Sequence, residues 1–267
     1  MTVTVAVAQF ATGLDKDANR KLVEDAFTAA GDAGARLVVT PENSMYADFA
    51  KVNLADTSWP EPLDGPFVTA VRESARSAGV AGVVGFSEAV PGETRASNTL
   101  VAVDGSGELL GVYRKIHLYD AFGYRESDTI IPADIVDPLT FELDGITFGA
   151  MTCYDLRFPE AARRLTDAGA SAFVVPAAWA VGPSKEDHWA TLIRARAIEN
   201  TAYVLASGQT GPNCTGHSII VDPMGTVVAG AGEQPGLVSA PLDPERIASV
   251  RRVNPSLANR RFTVVPK

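Results

Sequence analysis

The chain of 267 residues has only two cysteines, Cys153 and Cys214, and three histidines, His117, His188 and His217. Two thiols cannot staple a disulfide framework, so the fold must rest on a hydrophobic core, with a reducing, cytoplasmic setting as the default. The histidines and cysteines show no His-x-x-x-His or Cys-x-x-Cys spacing, so no metal site is expected. Basic residues are in deficit: 23 Lys and Arg face 32 Asp and Glu, a net charge of −9. That balance argues against nucleic acid or an anionic membrane as partner. Arg251, Arg252, Arg260 and Arg261 make only a mildly basic C-terminal region. No apolar run approaches the ~18 residues of a membrane span. The N-terminus opens on the strand-like run Val3–Phe10, not on a charged and then apolar leader. Without a linker, a fixed-period repeat or a low-complexity tract, residues 1–267 read as one domain.

What the chain does have is a regular alternation of elements. Short β-branched runs recur at Val3–Ala8, Leu37–Thr40, Val80–Phe86, Thr99–Val103, Leu109–Tyr113, Ile146–Met151, Ala172–Val175, Ala202–Ala206, Ser218–Val221 and Thr226–Ala229. Between them, residues 17–33 carry Leu22, Val23, Ala26, Phe27 and Ala30 as a one-sided apolar stripe, the mark of an amphipathic helix. Residues 66–78 and 187–199 read similarly, and Pro159 suits the first turn of a helix reaching about Ala168. Asp104–Gly107 and Asp222–Gly225 have the composition of hairpin turns. Crossover helices combined with hairpins predict an α/β fold with mixed sheets covered by helices.

The reactive residues fall where such folds place their sites, beyond the carboxyl ends of strands. Glu42 follows the apolar run Leu37–Pro41, Lys115 follows Leu109–Arg114, and Cys153 follows Ile146–Thr152 at a turn into a helix. By position alone each has an ordinary alternative. Cys153 is either a small buried hydrophobe or a nucleophile whose thiolate a helix N-terminus and a nearby ammonium would favour. Glu42 is either a solvated loop residue or a base whose carboxyl burial would raise. Lys115 is either a surface residue or a fixed charge for an oxyanion.

Together these segments resemble the nitrilase superfamily of carbon–nitrogen hydrolases. Its Glu motif is matched by Leu37–Asn43, its Lys motif by Tyr113–Leu118 and its Cys motif by Thr152–Glu160. The stretches His188–Asn200 and Gly216–Gly225 add to the likeness, which runs from Val5 to Arg246. The resemblance implies a four-layer α-β-β-α sandwich that pairs into homodimers or higher homo-oligomers. It implies Glu42 as base, Cys153 as nucleophile, and Lys115 with the backbone N–H of Tyr154 as oxyanion donors, a chemistry that requires no metal or organic cofactor. A second carboxylate, by position Glu126, would orient Lys115 or a water; its alternative is an exposed loop residue. The three histidines are read as structural or as supports behind the reacting groups, and Cys214 is not read as the nucleophile.

For the substrate, a small amide is expected. Arg157 lies four residues past Cys153, and in relatives that cleave ω-amides of dicarboxylic or glutathione-derived acids an Arg here is associated with the substrate carboxylate. An Arg fork suits that group, although a pair with Asp155 or Glu160 is the alternative. Tyr119, Phe122 and Trp179 are candidates for an aromatic wall. The segment Trp179–Asp187 departs from those relatives and leaves the amide's identity open, with nitrile and N-carbamoyl-amine hydrolysis as rival chemistries. A catalytically idle interaction protein or a redox-sensing thiol would be non-enzymatic readings.

Overall fold

A computed structural model describes residues 2–49 and 58–267. Its first sheet is built from β1 (Val3–Gln9), β2 (Leu37–Val39), β3 (Ala81–Ala89), β4 (Ala96–Val103) and β5 (Leu109–Arg114). A short hairpin of β6 (Asp120–Ala121) and β7 (Tyr124–Arg125) follows. The second sheet comprises β8 (Thr140–Leu143), β9 (Ile146–Ala150), β10 (Ala172–Ala177), β11 (Tyr203–Gly208), β12 (Ile219–Val221) and β13 (Val227–Gly230). The last strand, β14 (Gly236–Leu242), returns to pair antiparallel with β1. The strand orders are β14-β1-β2-β3-β4-β5 and β13-β12-β11-β10-β9-β8. In each sheet three consecutive strands run parallel, β1 to β3 and β9 to β11, and antiparallel neighbours flank them.

The parallel steps are bridged by helices α1 (Lys16–Asp32), α2 (Pro66–Ala78), α3 (Pro159–Asp167) and α4 (Lys185–Asn200), and α5 (Pro244–Val253) closes the series. Their ends carry the chemistry that starts and stops helices. Asp15 caps α1 by accepting from the N–H groups of Asp17 and Ala18, prolines open α2, α3 and α5, and Gly79 ends α2 in the left-handed region at φ 66°.

Three apolar clusters define the layers. Val5, Val7, Leu37, Val83 and Leu100 of the first sheet meet Ile146, Phe148, Val174 and Leu205 of the second, so the two sheets pack face to face. The first sheet's other face, with Ala6, Val38, Val84 and Val101, is covered by Val23 and Phe27 of α1 and Phe67 and Val71 of α2. On the far side, Phe173, Val175 and Val204 are covered by Leu165 of α3 and Trp189 and Ile193 of α4. The result is the expected α-β-β-α sandwich. Both faces of every central strand are buried, which is why those strands read as apolar runs without clean alternation.

All ten expected strands form, each end within three residues of its expected place. The sequence reading missed β8, the β6–β7 hairpin, β14 and α5. Pro241 breaks the pattern of β14, yet β14 is an edge strand, where a missing N–H costs no ladder bond. The helix expected over 187–199 starts two residues earlier, at Lys185, as α4.

The fold also seats the loop after β2. A Cβ at Gly85 would meet Glu42 Cα at 3.0 Å, and the Asn43 nitrogen and Pro41 oxygen at 3.2 Å, all backbone atoms that cannot swing aside. Gly85→Ala is therefore expected to cost about 1–3 kcal/mol of stability through overpacking. It should also lower turnover by displacing Glu42, as urea unfolding and ammonia release would show; an unchanged midpoint would refute this account.

Candidate active site

Each reactive side chain sits just past the end of a strand, and the two sheets bring them together. Glu42 lies on the loop after β2, with Asn43 in the left-handed region at φ 58°. Lys115 is the first residue after β5, and its N–H donates to Asn98 O at 2.9 Å. Cys153 opens a 3-10 helix, Cys153–Arg157, that leads into α3, and its own φ is +46°. A non-glycine residue held there stores strain and turns the side chain sharply out of the strand. Thr152 and Asp155 close a capping box around this turn.

Lys115 is only 1% exposed, and its ammonium is enclosed by carboxylates. Nζ donates to Glu42 Oε1 at 2.9 Å and to both Glu126 oxygens, at 3.0 and 2.9 Å. Glu42 Oε2 accepts from the Ala178 N–H at 2.7 Å, just beyond β10. Glu126, on a short 3-10 helix after β7, also accepts from the Tyr119 N–H at 2.6 Å. The expected set of Glu42, Lys115, Glu126 and Cys153 therefore converges on one wall of a cavity of about 520 Å³. The Tyr154 N–H lies in the first turn of the 3-10 helix, where no intrahelical acceptor exists.

The electrostatics differ from the simple expectation for two groups. Burial alone would raise the Glu42 carboxyl, but the charge and hydrogen bond of Lys115 outweigh it and hold Glu42 below the ordinary carboxylate value. For Cys153, burial comes first and the Glu42 charge second; both push the thiol well above its usual value, against the opposing pull of Lys115. The resting nucleophile is thus a protonated thiol beside an ionised carboxylate. Burial would lower the Lys115 amine, yet Glu126 and Glu42 keep it well above the usual lysine range.

Several supporting residues escaped the sequence reading. Asn98 Nδ2 bridges the two carboxylates, donating to Glu42 Oε1 at 2.7 Å and Glu126 Oε1 at 3.1 Å. Its only trace in the sequence is a polar run, Ser97–Thr99, inside an otherwise apolar strand. Gln209 Nε2 donates to Glu42 O at 2.8 Å and to Thr12 Oγ1 at 2.7 Å, tying the loop to the end of β11. Asp155, fully buried, accepts from Tyr113 Oη at 2.6 Å and the Thr152 N–H at 2.9 Å, and lies 2.7 Å from His117 Nδ1. Tyr113 and His117 bracket Lys115, so this carboxylate fixes the lysine segment against the cysteine turn.

The substrate-side candidates are placed unequally. Tyr119 and Phe122 line the main cavity. Arg157 and Trp179 line a smaller recess that shares Tyr119, Cys153 and Lys185 with it. Arg157 pairs with neither Asp155 nor Glu160. Its guanidinium lies 4.7 Å over Trp179 and 5.4 Å from the Phe122 ring centre, with His188 Nδ1 at 3.5 Å. His217 gives its carbonyl to Trp189 Nε1. Cys214 is buried, unbridged and pushed up to about 12 by burial.

Residues 4–252 match the carbon–nitrogen hydrolase family model. A deaminated glutathione amidase of Escherichia coli O157:H7 is 39% identical over 259 residues, 97% of each chain. The fold superposes on Nit3 of Saccharomyces cerevisiae, a member of branch 10 of the nitrilase superfamily, with a TM-score of 0.86, 30% identity and coverage of 98% of this chain and 97% of that one. It also superposes on a double mutant of the amidase from Nesterenkonia sp. AN1 in complex with acrylamide, with a TM-score of 0.81, 26% identity and coverage of 97% and 94%. The chain belongs to the carbon–nitrogen hydrolase family, as a Cys-dependent amidase of the nitrilase superfamily.

Proposed function

We propose that Cys153, Glu42, Lys115 and Glu126 hydrolyse a small amide carrying a carboxylate, releasing ammonia. One observation carries this reading: the Glu42 carboxylate and Lys115 ammonium, 2.9 Å apart and buried, share a cavity wall with a buried cysteine on a strained turn.

Glu42 accepts the thiol proton as Sγ attacks the amide carbonyl carbon. The Lys115 ammonium and the Tyr154 N–H hold the tetrahedral oxyanion. As the C–N bond breaks, Glu42 returns its proton to the nitrogen and ammonia leaves. Water then attacks the thioester, giving a proton to Glu42; the C–S bond breaks, and the thiolate recovers that proton as the acid departs. Glu126 and Asn98 keep Lys115 and Glu42 in register. Arg157 receives the substrate carboxylate, with Tyr119 and Trp179 as its aromatic surroundings.

The wider reading is one domain over residues 1–267, working as a homodimer in the cytoplasm. The return of β14 to β1 supports the single domain, and the exposed Val253, Phe262 and Val265 near the C-terminus support a second copy as partner. Two free cysteines favour a reducing compartment. Sedimentation at working concentration tests the dimer.

The chemistry is tested by ammonia release from a panel of amides, ω-amides, nitriles and N-carbamoyl amines. Ammonia from carboxylate-bearing amides is expected. Carbon dioxide evolved with it would move the reading to carbamoyl hydrolysis, and turnover of nitriles alone would replace it.

A further inference from the structure

Two cations, Lys185 buried and Arg157 half-buried, sit side by side in the recess beside Cys153, and among the described residues neither faces an acid. Lys185, at the start of α4, is 5% exposed. Its Nζ donates to Tyr119 Oη at 2.7 Å and lies 3.8 Å from the Phe122 ring centre and 4.8 Å from that of Tyr119. Among the described residues it has no carboxylate partner. Arg157 has none either, and its buried Nε lacks any hydrogen-bond acceptor. Both line a recess of about 20 Å³ that opens beside Cys153, room for a group slightly larger than one water.

Burying an unneutralised lysine is costly, and a half-buried arginine beside it adds their mutual repulsion. Aromatic faces offset part of this: Phe122 serves both cations, Trp179 underlies Arg157, and Tyr119 underlies Lys185. Such rings hold a cation without neutralising it, so the donors stay open to an arriving anion. We infer that Lys185 and Arg157 together form a two-cation, aromatic-walled seat for the carboxylate of the substrate, with Lys185 the residue that discriminates carboxylate-bearing amides from neutral ones. The inference rests on the amidase reading above and adds to it a residue and the direction from which the substrate enters. An anion anchored there lies next to Cys153, so the seat favours short dicarboxylic monoamides whose two ends span from the recess to the thiol.

The test compares glutaramate with butyramide, a neutral amide of similar length, in the wild type and in Lys185→Gln, Lys185→Arg and Arg157→Gln. Lys185→Gln is expected to raise KM for glutaramate about 10- to 100-fold, the range for a lost charge-assisted hydrogen bond. The glutaramate-to-butyramide ratio of kcat/KM should fall with it, and Lys185→Arg should restore part of that ratio. A ratio unmoved by Lys185→Gln but lowered by Arg157→Gln would overturn the inference, as would a wild type that prefers butyramide. A second readout stands apart from turnover: glutarate should slow alkylation of Cys153, followed by mass spectrometry, in the wild type but not in Lys185→Gln. If no amide is hydrolysed, the amidase chemistry fails while this protection still decides the seat; equal protection in both proteins overturns it.

Discussion

Cys153→Ala is expected to abolish ammonia release, lowering kcat by about 10⁴-fold or more, because Cys153 is the one thiol among the described residues that line the cavity. The fold should tolerate the change. Cysteine already bears the strain of φ +46°, alanine meets the same backbone cost, and the lost sulfur leaves only a small void. Circular dichroism and the thermal midpoint should therefore stay close to wild type while turnover vanishes. Appreciable activity in this variant would remove Cys153 from the mechanism, and Cys214 could not replace it without leaving the buried site that raises its thiol. The same physics governs the resting enzyme. With its thiol held protonated by burial and by Glu42, Cys153 should react slowly with alkylating agents at neutral pH, unlike a standing thiolate.

Lys115→Met should be damaging twice over. Losing an oxyanion donor costs a factor of about 10²–10³ in kcat. Removing the cation also leaves Glu42 and Glu126 as buried like charges, and breaking such a cluster typically costs about 3–5 kcal/mol. The pH dependence separates this explanation from simple misfolding. Glu42 is depressed in the folded state, so its contribution to stability is present above the unfolded carboxylate value and lost as pH falls through the folded one. Lys115 is raised, so its contribution is present below the unfolded lysine value and lost as pH rises through the folded one. Wild-type stability from this cluster should accordingly be flat between about pH 5 and pH 10. In Lys115→Met, burial and the neighbouring carboxylate favour a protonated Glu42, so the deficit should shrink from pH 8 to pH 5. An equal deficit at both pH values would point to packing instead.

The architecture was legible because its signals are local. A β-branched run, the apolar stripe around Phe27 and the Asp-Pro-Met-Gly turn at Asp222 each declare themselves within a few residues. So did the positions of Glu42, Lys115 and Cys153 at strand ends, and the motifs around them supplied the grouping. What stayed hidden depends on partners far apart in the chain. Asn98 looks like any polar strand residue until Glu42 and Glu126 are seen on either side of its amide. Lys185 carries no mark of a site in the sequence, because its aromatic neighbours, Tyr119 and Phe122, come from the distant segment between β5 and β8. The protonation states were misread for a related reason. The position of Glu42 predicts burial, which raises a carboxyl, but not the ammonium in contact that lowers it further. The thiol's neighbours act in the opposite sense, since the carboxylate that will take its proton also discourages early ionisation.

The site straddles the seam between the sheets: Glu42 and Lys115 hang from one, Cys153 and the Ala178 N–H from the other. Either sheet could keep its ladder and helices while the apolar layer between them loosened, as happens in expanded compact states. In such a state the thiol would part from its base and from the oxyanion donors, although the backbone spectrum would hardly change. Catalytic competence would therefore arrive last in folding and leave first on unfolding. A half-assembled chain would carry an ordinary thiol with no base beside it, and catalytic attack would begin only once the halves had closed.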